Sequence, residues 1–153
     1  MHSRIFQVSL KPIAVEDYIP VFDMQDMMPD YMDYITDDND KAEDIDWLKN
    51  FLSEFSIDND KIIITKEALK DKIEEKLDKI RELIDNCSFD TWSMDTYRIK
   101  SQLDDKFGFH IYDDDAGYIE TLDSWLNRQI WKFEDKDVKE IVFYFGGTFD
   151  YHS

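Results

Sequence analysis

The side chains of this chain that could do chemistry are mostly carboxylates. The 153 residues include 36 Asp and Glu against 18 Lys and Arg, so the formal net charge is −18. The stretch from Asp23 to Asp60 supplies −11 of that charge, with thirteen acids against Lys41 and Lys49. Because a fold does not need such an imbalance, the sequence predicts a basic or cationic counterpart for this stretch.

The densest part of the stretch is DMQDMMPDYMDYITDD, residues 23–38. Drawn as one helix, it holds five carboxylates in a row about 5 Å apart, since each helical residue rises about 1.5 Å. The carboxylates of that row belong to Asp23, Asp26, Asp30, Asp33 and Asp37. The opposite face carries Met24, Met27, Met28, Tyr31 and Ile35. Pro29 either begins this helix or kinks it, because proline lacks the backbone donor that a helix interior needs.

Three interpretations of this segment stay open. In the first, it is an ordinary amphipathic helix with methionine in the core and aspartate in water. In the second, Met27, Met28 and Tyr31 form a docking surface, because flexible methionine side chains adapt to a partner's groove. In the third, the carboxylate row imitates the phosphates of DNA and occupies the cleft of a DNA-handling enzyme. The small size, the pI near 4.3 and the acidic surface resemble those of phage and mobile-element DNA mimics.

Histidine and cysteine offer little for catalysis or metal binding. The three histidines, His2, His110 and His152, do not stand at metal-ligand spacing from one another or from Cys87. No acidic cluster follows the EF-hand pattern, and we interpret Asp113–Asp115 with Glu120 as a solvated acidic turn rather than an irregular cation site. We therefore predict no catalytic residue, no metal and no cofactor. The alternative is a small enzyme or metal-binding protein whose site is assembled from residues distant in sequence.

The C-terminal residues 145–152 are FGGTFDYH. This run resembles the GGTFD motif of the nucleotidylyltransferase superfamily, in which the glycines let the backbone approach phosphate. The chain has Tyr151 where that family usually has proline, and no H-x-G-H arrangement follows. We therefore interpret Gly146 and Gly147 as the turn of a two-residue hairpin between strands at 138–145 and 148–152.

Apolar periodicity predicts the elements that position these residues. Strands are predicted at 4–10, 62–64 and 109–112, and helices from 44 to 55, from 92 to 107 with a cap at Gly108, and from 119 to 133. Thr65 is predicted to cap the longest helix, whose core-facing stripe is Leu69, Ile73, Leu77, Ile80 and Ile84. Strands do not alternate with helices, so we predict one α+β domain over 1–153, with an antiparallel or mixed sheet covered by four or five helices.

The partner and compartment are predicted from composition. The lone Cys87, the absence of an apolar leader and the absence of a membrane-length apolar run together predict a cytoplasmic protein. The net negative charge disfavours direct contact with nucleic acid or with anionic membranes. A basic protein surface, for example on a nucleic-acid-binding enzyme, is the predicted partner, and self-association stays open.

Overall fold

Seven strands form one mixed sheet in the computed structural model, which describes residues 1–37 and 40–153. The strands are β1 His2–Ser9, β2 Tyr34–Asp37, β3 Ser56–Ile57, β4 Lys61–Thr65, β5 His110–Asp113, β6 Tyr118–Thr121 and β7 Glu140–His152. Their order is β3-β4-β7-β1-β5-β6, and β2 also pairs with β7. Only β1 and β5 are parallel. The predicted α+β class and mixed sheet are confirmed.

Five helices accompany the described strands: α1 Val21–Asp26, α2 Lys41–Phe51, α3 Lys66–Asp85, α4 Trp92–Leu103 and α5 Leu122–Lys132. Residues of α2, α3 and α5 cover one face of the sheet and bury the first core cluster, which includes Phe6, Trp125 and Phe143. The segment around α1 covers the other face and buries the second core cluster, which includes Ile5 and Tyr151. No helix within residues 1–37 and 40–153 has the length and apolarity to cross a bilayer.

The predicted C-terminal hairpin is wrong, because β7 runs without a turn from Glu140 to His152. On the neighbouring strand β1, Phe6 is opposite Thr148 while Val8 is opposite Phe145, so the register shifts by one residue between these pairs. Gly146 and Gly147 together therefore face the single residue Gln7, which is a β-bulge. The glycines bend the strand rather than reverse it.

The side chain of Gln7 explains why glycine is needed there. It is buried against the bulge, where its Oε1 accepts the Gly147 N–H at 3.0 Å and the Ile19 N–H at 3.0 Å. Its Nε2 donates to a carboxylate oxygen of Asp114 at 3.0 Å. A Cβ on Gly146 would overlap this amide. The Gln7 side chain on β1 thus links the bulge in β7 to the loop before α1 and to the turn between β5 and β6.

The helix predicted within residues 23–37, beginning or kinked at Pro29, is also wrong. Helix α1 ends at Asp26, two residues before Met28 and three before Pro29, whose ring would clash with the Gln25 carbonyl if the helix continued. The Gln25 side chain instead donates to the Ile35 carbonyl at 2.8 Å, which ties α1 to β2. Residues 34–37 pair with β7, as their aromatic and β-branched side chains favour.

Three other predictions about helices are corrected. Ile119 lies in β6, so α5 begins only at Leu122. Gly108 does not cap α4, which ends at Leu103. Thr65 does cap α3, accepting the Ala68 N–H at 3.1 Å, but only the first part of the α3 stripe is buried. Helix α3 has 20 residues and is about 30 Å long, and Leu77 and Ile84 on its stripe are exposed.

We expect Gly146→Ala to destabilise the protein by about 1–3 kcal/mol, because the new methyl group displaces the Gln7 amide from its hydrogen bonds. Urea unfolding measures this loss. In a Gln7→Ala background the overlap is absent, so the same substitution should then cost no more than about 0.5 kcal/mol. Equal costs in both backgrounds would show that the bulge does not depend on the Gln7 side chain.

Candidate functional site

The five predicted carboxylates lie on three different local structures. Asp23 and Asp26 are on α1, Asp30 and Asp33 are in the connection after it, and Asp37 ends β2. They do not form one straight helical row, because the chain changes direction around Pro29. All five residues are nevertheless exposed. In the described part of the chain, no Lys or Arg lies within 4.0 Å of any of these carboxylates.

The methionine and aromatic face of the same segment is turned toward the sheet. Met24, Met32 and Ile35 are buried in the second core cluster. Met27, Met28 and Tyr31 are half-buried and pack against that cluster. These three residues were the predicted docking surface; part of each side chain is engaged in covering the sheet and part remains accessible, so their docking role stays a prediction. The observed burial has methionine inward and aspartate in water, as in the first interpretation, but the segment is not one helix.

Two histidine–aspartate pairs lie at the end of the sheet next to this segment. His2 and His152 are directly opposite each other on β1 and β7. Nδ1 of His152 lies 2.8 Å from the Asp33 carboxylate, and Nδ1 of His2 lies 3.2 Å from the Asp150 carboxylate. Among the described residues, Asp33 is therefore the one predicted carboxylate with a histidine partner, and one of its oxygens is engaged within the protein.

The third histidine is buried and fully hydrogen-bonded. Nδ1 of His110 lies 3.0 Å from the Gly108 carbonyl, which can only accept, so this nitrogen carries the proton. Nε2 of the neutral ring then accepts from the Tyr31 hydroxyl at 2.8 Å. Burial lowers the pKa of His110 and raises the pKa of Tyr31, so both groups are held neutral. The arrangement anchors Tyr31 to the sheet rather than presenting it for chemistry.

The acidic turn after β5 is only partly solvated, which corrects the prediction, because Asp114 and Asp115 are exposed but Asp113 and Glu120 are buried. Asp113 accepts the Asp115 N–H and lies 3.3 Å from the Trp125 indole nitrogen, while Arg128 pairs with Glu120 at 2.9 Å. These carboxylates are thus occupied by protein donors. Across residues 1–37 and 40–153, no group of three or more His, Cys, Asp or Glu side chains is arranged to hold a metal ion.

Sequence reasoning missed one surface feature, a groove between α3 and α5. Leu69, Ile73, Leu77, Ile130 and Phe133 line it, together with lysines and glutamates at its rim. The α3 stripe was predicted to face the core throughout. The length of that stripe could have indicated the groove. An apolar stripe of four helical turns is longer than the short strands predicted here can cover, so part of it is expected to be exposed.

Replacing Tyr31 with phenylalanine should destabilise the protein by about 1–3 kcal/mol, because it leaves the buried His110 nitrogen without a donor. The neighbouring Asp30→Asn substitution is the matched control and should change stability by less than about 0.5 kcal/mol, since Asp30 is exposed. Chemical denaturation of the three proteins measures both effects. Equal stabilities would show that Tyr31 does not anchor the segment.

We expect His110 to titrate below its ordinary value of 6.5 when followed by NMR of histidine-labelled protein, because burial disfavours the imidazolium. A depressed folded-state pKa makes the neutral ring's contribution to stability complete above about pH 6.5 and weaker as the pH falls below it. The difference in unfolding free energy between the wild type and His110→Gln should therefore shrink toward acidic pH. A folded-state pKa at or above 6.5 would contradict this assignment.

Comparisons with known proteins identify no relative that could inform the interpretation of this site. The chain matches no protein-family model, and comparisons with curated proteins and with solved structures returned no match.

Proposed function

We propose that this protein is a binding module that engages a basic protein surface through the acidic segment between Asp23 and Asp37. One observation carries the proposal: the apolar side chains of this segment are packed on the sheet, while its carboxylates are exposed and have no Lys or Arg partner among the described residues. Asp23, Asp26, Asp30 and Asp37 form what we call the acidic face. Asp33 is left out of this name because it is paired with His152.

Electrostatics favours such a role for the acidic face. Carboxylates without internal partners keep their full charge toward solvent and attract a cationic surface over roughly a Debye length, about 8 Å at physiological ionic strength. Complementary charge of this kind raises the association rate and selects against acidic partners. The segment is also positioned firmly, since β2 pairs with β7 and the Gln25 side chain holds α1 to β2.

The partner that fits this arrangement is a basic protein surface. The even spacing of about 5 Å, which motivated mimicry of DNA, required one straight helix. Carboxylates distributed over α1, a connection and β2 present a broad negative surface instead. A nuclease or another nucleic-acid-binding enzyme belongs to the class of basic partners, and the experiment below separates it from the others.

The test compares two variants that each lose four negative charges, one on the acidic face and the other elsewhere on the surface. The site variant carries Asp23→Asn, Asp26→Asn, Asp30→Asn and Asp37→Asn. The matched control carries Asp71→Asn, Glu82→Gln, Asp85→Asn and Asp90→Asn, which are exposed residues on and after α3. Each protein is immobilised and exposed to lysate of the source organism at low and at high salt, and mass spectrometry identifies what is captured.

We expect the wild type and the control to capture the same basic protein at low salt and the site variant to lose it. At about 0.5 kcal/mol for each exposed charge contact, four contacts correspond to roughly thirtyfold in affinity. High salt should weaken capture because it screens exposed charges. Equal loss in both variants would mean that only the overall charge matters, and unchanged capture would remove the acidic face from the interaction.

A further inference from the structure

The groove between α3 and α5 is apolar and open. Its volume is about 590 Å³. Leu69 and Phe133 form the buried floor, while Leu77 and Ile130 are 40% and 43% exposed at its open end. These are large apolar side chains in contact with water on two adjacent helices, which is the arrangement that an amphipathic helix covers when it binds.

The apolar surface continues along α3 beyond the cavity itself. Ile84 is 56% exposed and lies on the same stripe as Ile73 and Leu77, because positions seven and eleven apart share one side of a helix. From Leu69 to Ile84 the stripe is about 22 Å long, at 1.5 Å for each residue. A partner helix of about four turns matches this length, whereas a short apolar ligand would leave Ile84 uncovered.

The other end of the groove is basic, which is unusual in a chain with twice as many acids as bases. Lys66, Lys136 and Lys139 line a second cavity of about 500 Å³, which shares Phe133 with the groove and which Glu67 also lines. We call these three lysines the lysine corner. Among the described residues, no carboxylate lies within 4.0 Å of their ammonium groups. The neighbouring Lys70, by contrast, pairs with Glu74.

We propose that the α3–α5 groove binds an amphipathic helix of a partner protein, whose apolar stripe lies on Leu77 and Ile130 and whose acidic residues at one end contact the lysine corner. Charge complementarity selects this occupant, because the lysine corner offers three cations without a carboxylate partner among the described residues, and only the Lys139 ammonium has a hydrogen bond, to the Lys136 carbonyl. The lysine corner is positively charged, whereas the acidic face is negatively charged. The groove therefore adds a second binding activity, and its test does not depend on the first.

The probe is a fluorescent synthetic helix of about 18 residues, with leucines at helical spacing and glutamates in its first turn. One control peptide has lysines in place of the glutamates, and another has serines in place of the leucines. Two groove variants are used: Leu77→Glu with Ile130→Glu, and Lys66→Glu with Lys136→Glu. The matched control is Trp131→Glu, because Trp131 is on α5 but 70% exposed and outside the groove. Circular dichroism checks that each variant folds.

Fluorescence anisotropy should show that the acidic peptide binds the wild type at least tenfold more tightly than either control peptide. The Leu77→Glu and Ile130→Glu variant should lose at least tenfold in affinity, and Trp131→Glu should stay within twofold of the wild type. The variant with reversed lysine charges should prefer the lysine peptide. Equal affinity for all three peptides, or binding unaffected by the groove variants, would overturn the proposal.

Two further measurements separate this occupant from others. Laurate is titrated against the wild type, and binding of laurate without binding of the acidic peptide would replace the proposed helix with a small amphipathic anion. Sedimentation of the protein alone is compared with that of the Leu77→Glu and Ile130→Glu variant. Self-association that only the wild type shows would assign the groove to a second copy of this chain and overturn the proposal.

Discussion

The β-bulge at Gly146 and Gly147 is the constraint on which the rest of the structure depends. In an uninterrupted strand, alternate residues point to the same face. Before the bulge, Phe143 and Phe145 are buried in the first core cluster, but after it Phe149 and Tyr151 are buried in the second. The extra residue therefore lets one strand of 13 residues supply both cores. Without it, Phe149 and Tyr151 would face the same side as Phe145, and the second face of the sheet would lose the apolar surface that α1 covers.

The exposure of the carboxylates follows from this arrangement. Since Phe149 and Tyr151 form an apolar surface, the segment from Ile19 to Ile35 packs its methionines there and turns its aspartates outward. The Tyr31 hydroxyl on His110 and the Gln25 amide on Ile35 fix the segment at two points. The acidic face is thus the outer side of the segment that covers the second core cluster. Its carboxylates are held in place by the packing of that segment on the sheet.

Helix α3 creates the second surface because it is longer than the core that it covers. Its first turn is capped by Thr65 and packs Leu69 into the first core cluster, whereas Leu77 and Ile84 are partly exposed to water. The lysine corner lies where the start of this helix meets the segment after α5. The acidic face and the lysine corner carry opposite charges and lie on different sides of the sheet, so the two proposals call for different partners.

The sequence by itself determined the α+β class, most strand positions, the Thr65 cap and the inward direction of Met24 and Ile35, because these depend on local propensity and apolar periodicity. Only the tertiary structure decided three other features. Gly146 and Gly147 form a bulge rather than a turn because Gln7 packs against them, and residues 34–37 form a strand because β7 offers an open edge. The α3 stripe is partly exposed because the described chain covers Leu77 and Ile84 only in part. Each of these depends on residues distant in sequence, and local patterns carry no information about which distant residue will be the neighbour.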